Sequence, residues 1–517
     1  MKKKSYFSKE KIINLKQIIF KMKLRVKDVD IATGGIKICL LHESDASRLD
    51  LHPMDRVIIT KGSKRTIAAL DIAESAKAVA PGSIGLFEEV LDILKAKHND
   101  TVDVELANKP ASVTYIKKKL DGYELNKTEI HQIIKDIVCD ELTDIELTSY
   151  ITGNYVNGMT MKEIVDMTKA MMDTGTILKF GNQQVVDLHS IGGVPGNRTT
   201  IIVVPILAAA GLKIPKTSTR AITSPAGTAD TMEVLTKVEH HPQHLIQMIK
   251  QVGAFIVWGG SVNLAPADDK IIKVESPLGI DAEGQMLASI MSKKASVGAN
   301  YLLMEIPVGP DVKVKTRAQA QQLANNFKKL AERLKIKIKM MITDAKEPIG
   351  NGIGPALEAK DCLWVLQNDP KGPKDLREKS LVMAGEILEF VGKTTNGYAM
   401  AEKILTTGKA YDKMKEIIKA QGGRPRKPED ISIGKETYNV KAWKTGKITA
   451  INNIAIARTA RIAGAPQNKG AGIYLHKHCG DHAYKDEILY TIYAPNATEL
   501  KYAIEKAKEY NWGFEIN

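Results

Sequence analysis

A chain of 517 residues, 44% apolar and 26% charged, is long enough for about three domains and too apolar to stay disordered. Its net charge of +14 points to a Lys-rich solvated surface or to a field that attracts anionic ligands. An aromatic content of 5% argues against stacking platforms for single-stranded nucleic acid. No stretch reaches the ~18 apolar residues of a membrane span. Cys39, Cys139, Cys362 and Cys479 lie far apart and form neither a disulfide framework nor a CxxC knuckle. The expectation is a cytoplasmic protein with no membrane and no nucleic-acid partner.

Residues 1–22 are Lys-rich without an apolar signal core and read as a leader. Residues 23–107 read as a β-rich N-terminal domain. Leu24 and Val26 alternate with charged residues. Beyond the break at Gly34-Gly35, Ile36, Ile38 and Leu40 alternate again, and Val57-Ile58-Ile59 and the pair Val102 and Val104 follow. Residues 108–180 read as a helical domain, to which 268–298 contribute. Asn126 and Glu129 can cap a helix reciprocally, as can Thr160 and Glu163, and each pair precedes an apolar stripe.

Residues 181–421 alternate buried strands and helices. Val185-Val186 leads into a Gly-rich loop and an apolar helix ending at Gly211. Ile214 opens another strand, Lys337–Ile342 a further one, and Pro355 starts a helix. The run from Gly422 to Pro428 reads as a linker, and 431–517 as a C-terminal α+β domain. The expected fold class is therefore α/β: a mixed central sheet domain with a smaller all-helical domain, a β-rich N-terminal domain and a β-rich C-terminal segment.

Two strand-to-helix loops carry the chemistry. The first runs from Asp187 through His189, Ser190, Gly192, Gly193, Gly196 and Arg198 to Thr199 and Thr200. Its glycines free backbone N–H groups, its hydroxyls add donors, and a helix N-terminus favours an anion. The spacing is neither a Walker A loop nor a dinucleotide fingerprint. The second runs from Lys216 through Ser218, Thr219, Arg220, Thr223 and Ser224 to Gly227, Thr228 and Asp230. Loops at the carboxyl ends of strands are where α/β sheets bind ligands, so the pair reads as an oxyanion cradle.

Asp281 precedes a helix on which Ser289 and Lys293 share a face. The stretch from Asp344 to Pro355, with Gly350, Gly352 and Gly354, reads equally as a flap or a turn. His476, His478, Cys479 and His482 read as a hairpin turn rather than a metal site, and Asp268-Asp269 as caps or solvated groups. No metal is expected.

These residues resemble the nucleoside phosphorylase family that contains the thymidine, pyrimidine-nucleoside and AMP phosphorylases. The resemblance rests on His189-Ser190 with Gly192-Gly193, on Ser218 through Arg220 to Gly227-Thr228, and on the helix Ala288 to Lys294. It extends from about Pro110 to the C-terminus. The phrases Ser190 to Asn197 and Ser218 to Asp230, with the added N-terminal domain, look most like the AMP phosphorylase branch.

The resemblance implies a pentosyltransferase that splits AMP, and by extension CMP or UMP, with inorganic phosphate into free base and ribose 1,5-bisphosphate. It implies no cofactor, since phosphate is a co-substrate, and a homodimer or larger homo-oligomer. It also implies roles. Asp281 would be the proton donor, able to protonate a purine nitrogen if partial burial raises its pKa. Gly193, Thr219, Arg220, Ala221, Ile222, Thr223, Ser224, Thr228, Ser289 and Lys313 would contact the nucleotide. Ser190, Thr199, Thr200, Ser218 and Thr228 would hold phosphate. His189 and Lys293 are secondary candidate site residues, Lys293 with Ser289 reading as a base-binding or sugar-binding edge facing the phosphate cradle or as a solvated helix edge.

Thymidine phosphorylases place a Lys before the His-Ser pair, where this chain has Leu188; Arg198, Arg220 and Lys216 are the candidate replacements. A thymidine or pyrimidine-nucleoside phosphorylase and a non-catalytic nucleotide-binding protein remain the competing expectations.

Overall fold

The computed structural model describes residues 21–181, 183–221 and 224–517. Most of the expected leader lies outside them, but its last two residues, Lys21 and Met22, open the first strand and pair with Glu105 and Val104. The chain divides into two units. One runs to Thr114 and takes in Cys139–Thr143; the other comprises Tyr115–Val138 and Asp144–Asn517.

In the first unit β1 (Lys21–Asp28), β2 (Ile38–His42), β3 (Arg56–Lys61), β4 (Lys64–Ala73), β5 (Ser83–Leu86) and β6 (Thr101–Leu106) close a barrel in the order β1-β5-β2-β4-β3-β6. Closure removes every sheet edge. Short helices α1 (Glu43–Arg48) and α2 (Glu88–Leu94) accompany it. Leu24 and Val26 are buried, as their alternation requires. On β2 the expected face is reversed. Cys39 and Leu41 are the fully buried pair, and Ile36 is exposed before the strand begins. Period two fits either face, and the register is set by pairing with β4 and β5. Leu40 then packs outside, near Val29 and Val79 at Gly85.

The division between units falls within α3 (Ser112–Leu120). The second unit continues with α4 (Lys127–Val138), α5 (Asp144–Asn157) and α6 (Met161–Asp173). Asn126 caps α4 by accepting from the Thr128 and Glu129 amides while Glu129 accepts from Asn126 N–H. Thr160 and Glu163 form the same box on α6. Glu163 is wholly buried and also takes Lys119 Nζ at 2.8 Å.

The α/β core follows: β7 (Val186–Ser190), α7 (Thr199–Ala209), β8 (Ile214–Ser218), α8 (Thr228–Glu233), α9 (Pro242–Gln251), β9 (Ala254–Trp258), α10 (Pro266–Leu278), α11 (Glu283–Ser296), β10 (Tyr301–Val308), α12 (Arg317–Arg333) and β11 (Lys337–Asp344). Strands pair in the orders β11-β10-β7 and β8-β9, joined by the Val185–Lys213 bridge. All of these pairs are parallel, so the core sheet is parallel rather than mixed. The reason lies in the connections, since a helical crossover returns the chain to the same end of the sheet. α10 and α11 leave the sheet to pack on α4, α5 and α6 and complete the helical domain. Helix α7 is apolar on every side, and it is buried under α14 (Lys374–Phe390) and α16 (Lys409–Ala420), which follow α13 (Pro355–Leu366) and flank α15 (Gly397–Thr406).

The Gly-rich stretch from 344 to 355 is more than a flap or a turn. Gly352-Ile353 forms β12, antiparallel to β15 (Gly472–Leu475). It thereby opens the sheet β12-β15-β17-β13, which uses β13 (Glu436–Lys441) and β17 (Ile488–Ala494). A second small sheet joins β14 (Gly446–Ile451), β16 (His482–Ala483) and β18 (Phe514–Ile516). Helices α17 (Asn453–Ile462) and α18 (Ala497–Glu509) complete the C-terminal layer.

Candidate active site

Neighbouring strands β7 and β8 each run five residues from the bridged pair Val185–Lys213, and each ends in a serine, Ser190 and Ser218. Ser190 sits opposite Glu305 of β10. Its hydroxyl lies 3.4 Å from the Gly192 amide and 3.5 Å from Asn197 Nδ2, both at the long limit of a hydrogen bond. Ser218 Oγ is buried with no hydrogen-bond partner among the described residues. Thr199 and Thr200 open α7, so its unpaired amide donors face the same strand ends. Thr199 is buried against Asn197 Oδ1 at 3.3 Å, and Thr200 is half-buried.

Arg198 ties the two loops together. Its Nη1 donates to the Asn197 carbonyl at 2.8 Å, its Nη2 to the Ala226 carbonyl in the second loop, and its Nε to Glu358 Oε2 at 2.5 Å. Thr231 of α8 donates to the same Glu358 oxygen at 2.7 Å. The turn at Gly196 (φ +72°) is pressed against α13's approach, because a Cβ there would stand 2.1 Å from the Ile349 carbonyl oxygen. The second loop is cinched by Asp230, whose Oδ2 accepts from Ala221 N–H at 2.7 Å and Gly227 N–H at 2.9 Å. Ser224 Oγ donates to Ala226 O at 3.0 Å. Thr219 is exposed and Thr228 half-buried at the start of α8. Ile222 and Thr223 lie outside the described residues.

The replacement cations behave differently from expectation. Arg220 makes a two-pronged pair with Glu233 at 2.8 and 2.7 Å, reaches Glu239 at 2.9 Å and Asp230 at 3.4 Å, and stacks 4.9 Å over Trp258. The hydrogen bonds from Arg220 are the chief cause that holds Glu233 at about 2. Arg198 is equally occupied by Glu358. Both therefore shape the loops, and neither presents a free guanidinium. Leu188 turns its side chain into the core, and Lys216 Nζ donates to the Leu188 carbonyl at 2.8 Å.

Lysines crowd His189. Burial first, then Lys294, Lys216, Lys293 and Lys313, push its imidazole well below the usual range, so the ring is neutral. Lys293 is paired with Asp268, which is buried rather than solvated as its position beside Asp269 suggests. Burial opposes the Lys293 charge, but Asp268 outweighs it and raises the pKa. Glu305, wholly buried on β10, receives Thr343 Oγ1 at 2.7 Å, Asn197 Nδ2 at 3.3 Å and the Lys379 ammonium. Burial disfavours its charge, yet Lys379 and the hydrogen bonds keep it below the ordinary carboxylate range.

Asp281 is exposed and ion-paired with Lys313, not partly buried. Gly193 (φ +95°) backs onto the same segment, since a Cβ there would touch Lys313 N and Val312 at 3.4 Å. Asp281 also lines a cavity of about 520 Å³ with Met159, Met161, Gly284, Asn326 and Lys329, within the size range of small-molecule sites. Ser289 is half-buried and its carbonyl accepts from Ser292 Oγ at 3.0 Å.

Glu275 of α10, accepting from Gln285 Nε2 at 2.9 Å, is a further carboxyl in this neighbourhood. Burial, then Asp281 and Asp268, raise it to about 7. Glu275, Glu305 and Glu358 were not singled out by motif, and Asp187 only as the start of the first loop. Only the charged residues inside the apolar runs VVDL and YLLMEIPV signalled two of them. Elsewhere, His478 bonds Glu347 at 3.2 Å and Asn351 at 2.9 Å, and His476 bonds Thr491 at 2.8 Å. Among the described residues no group of three His, Cys, Asp or Glu side chains could hold a metal ion.

A helical bundle beside a parallel sheet, with two hydroxyl-rich loops at adjacent strand ends, is the architecture of a class of glycosyl transferases. The helical bundle domain of the glycosyl transferase family matches residues 113–175, its a/b domain matches 182–411, and the pyrimidine nucleoside phosphorylase C-terminal domain matches 447–512. Anthranilate phosphoribosyltransferase from Thermus thermophilus shares the fold, with a TM-score of 0.51 at 19% identity over 60% of this chain and 99% of that one.

The AMP phosphorylases of Thermococcus sibiricus, Thermococcus kodakarensis and Pyrococcus furiosus are 47%, 46% and 44% identical, over 94% of this chain and 96% of each relative. The chain belongs to this glycosyl transferase family, in the branch that holds the AMP phosphorylases.

Proposed function

We propose that the chain is a pentosyltransferase that cleaves AMP with inorganic phosphate, releasing adenine and ribose 1,5-bisphosphate. The observation that carries this is the pair of strand-end serines, Ser190 and Ser218, set on neighbouring parallel strands with the α7 amides beside them and buried lysines beneath. The likeness of nearly the whole chain to AMP phosphorylases supports the choice of nucleotide. No cofactor or metal is needed for the reaction as written, because phosphate brings its own nucleophilic oxygen.

Phosphate binds to Ser190, Ser218, Thr199, Thr200 and Thr228. One of its oxygens attacks C1′ as the base departs, through a state with positive charge on the sugar. Holding the two reactants in line is worth about 7–11 kcal/mol in ideal cases. Gly193, Thr219 to Ser224, Ser289 and Lys313 contact the nucleotide. Lys313 exchanges Asp281 for an anionic group of the substrate, and Asp281, relieved of its counter-ion and next to the carboxyl of Glu275, takes up a proton and delivers it to the leaving base. His189, neutral among lysines, and Lys293, fixed by Asp268, set the electrostatics of the floor.

The test is a panel of nucleotides and nucleosides with and without phosphate, reading free base. Adenine release from AMP that requires phosphate, without turnover of adenosine, is expected. Turnover of thymidine or uridine in preference to AMP would move the chain to the pyrimidine-nucleoside phosphorylases. Nucleotide binding with no base release under any condition would make it non-catalytic.

We further propose a homodimer or larger homo-oligomer, supported by Ile145, Tyr155 and Val156, all exposed on α5. A cytoplasmic setting is supported by four free cysteines. Among the described residues no helix is long and apolar enough to cross a membrane. Sedimentation at micromolar protein tests the assembly.

A further inference from the structure

We infer that oxyanion binding between Ser190 and Ser218 is coupled to protonation of Lys216, so that in mildly alkaline solution this buried lysine supplies its positive charge only when an anion is in place. The inference rests on the proposed phosphate site and makes Lys216, one of the candidate replacements for the family Lys, a positioning residue whose charge follows the bound anion.

The geometry is a buried triad. Asp187 is fully buried, with Oδ2 2.8 Å from Lys294 Nζ and Oδ1 3.5 Å from Lys216 Nζ. Lys216 and Lys294 are 5% and 3% exposed. Two lysine amines thus face one carboxylate where water cannot screen them. With both protonated the triad carries one surplus positive charge in a low-dielectric site, which is unfavourable without a counter-ion. The Leu188 carbonyl accepts from Lys216 and offsets part of that cost. On its other side Lys216 pairs in register with Ile256 of β9, which brings no charge.

The groups around the triad are Asp187 and His189 from β7, Lys293 and Lys294 from α11, and Lys313 from the segment after β10. Burial first, with Asp187 opposing and Lys294 adding to it, brings Lys216 down to about 7. Without an anion the amine is therefore largely neutral above that pH, and neutral lysine can still donate to the Leu188 carbonyl. Ser218 ends the same strand two residues on, its hydroxyl buried and unpartnered among the described residues. An oxyanion taken up there supplies the missing negative charge. The Lys216 amine then binds a proton from solvent and becomes an ammonium; no other bond changes. By linkage, the anion binds more weakly as pH rises through the pKa of the empty site.

The test uses inorganic sulfate, whose charge does not change in this pH range, so any proton taken up enters the protein. Calorimetric titrations of the full chain in buffers of differing ionisation enthalpy give the proton count. We expect about one proton per bound sulfate near pH 8, falling toward zero near pH 6, where Lys216 is already charged. Lys216→Arg, with a charge that does not titrate, should bind sulfate without proton uptake and with a flatter pH dependence.

Sulfate binding without proton uptake in the native chain overturns the inference and leaves the phosphate site standing. Uptake that persists in Lys216→Arg but vanishes in His189→Gln also overturns it, by locating the proton on His189. No sulfate binding at all overturns the phosphate site as well. Should Lys216→Arg fail to fold, His189→Gln decides: proton uptake that survives in it supports the inference, and uptake that vanishes overturns it.

Discussion

Arg198 and Glu358 form a buried ion pair, Nε to Oε2 at 2.5 Å, at the point where both hydroxyl-rich loops meet helix α13. Glu358 takes Thr231 with its Oε2 and the Gly354 amide at 3.2 Å with its Oε1, so one carboxylate anchors three partners. Removing one partner of a buried pair costs about 3–5 kcal/mol, because the other charge is left stranded. Glu358→Ala should lose that much in denaturant unfolding and lose phosphorolysis as the loops part. A variant with native stability and native kcat/KM would show that the pair does not hold the site.

The exposed Asp281–Lys313 pair gives a second prediction. Asp281→Asn should keep AMP binding and lower kcat by about 10²–10⁴-fold, the usual worth of a positioned acid. Lys313→Met should instead raise KM for AMP. Steady-state kinetics separate the two effects, and unchanged turnover in Asp281→Asn would remove it as the proton donor.

Ser218 carries a buried hydroxyl without a partner among the described residues. An orphaned polar group of this kind is costly to bury. Ser218→Ala should therefore raise the melting temperature of the phosphate-free protein, by a change worth about 1 kcal/mol, while raising KM for phosphate. A lower melting temperature together with unchanged phosphate affinity would contradict a ligand-facing role for this hydroxyl.

Glu275 sets a pH dependence of stability. Its carboxyl, raised to about 7 by burial and by Asp281 and Asp268, binds a proton more tightly folded than unfolded. Its contribution is present below the ordinary carboxylate pKa and is lost as pH rises through about 7. Glu275→Gln removes that dependence. Calorimetric melting at pH 5 and pH 8 should show the variant gaining on the native chain at the higher pH; parallel profiles would refute it.

Gly196 should tolerate no side chain. Its left-handed φ opposes one, and so does the Ile349 carbonyl oxygen, which would lie 2.1 Å from an added Cβ. Gly196→Ala is expected to cost on the order of 2–4 kcal/mol, measured by urea unfolding, with activity falling in step.

Much of this was legible in the sequence because local rules and tertiary structure agree. The reciprocal caps at Asn126 and Thr160, the apolar α7 and the two glycine- and hydroxyl-rich loops all lie where their residues predict. The misreadings share one cause, which is that local patterns do not encode distant partners. Alternation on β2 fits two faces, and only barrel pairing chooses. Gly352 reads as turn until β15 supplies a strand beside it. Arg198 and Arg220 read as unpaired loop cations, because the carboxylates that pair them, Glu358 for Arg198 and Glu233 and Glu239 for Arg220, lie too far along the chain for a local pattern to show. Asp281 reads as an acid whose pKa partial burial could raise, yet it is exposed and Lys313 stands beside it.

The most direct check of the central claim is phosphorus NMR of AMP incubated with the purified protein and inorganic phosphate. AMP and phosphate signals should fall together while one product gains both a C1-phosphate and a C5-phosphate resonance. Appearance of ribose 5-phosphate without consumption of inorganic phosphate would contradict phosphorolysis, since water rather than phosphate would then be the nucleophile.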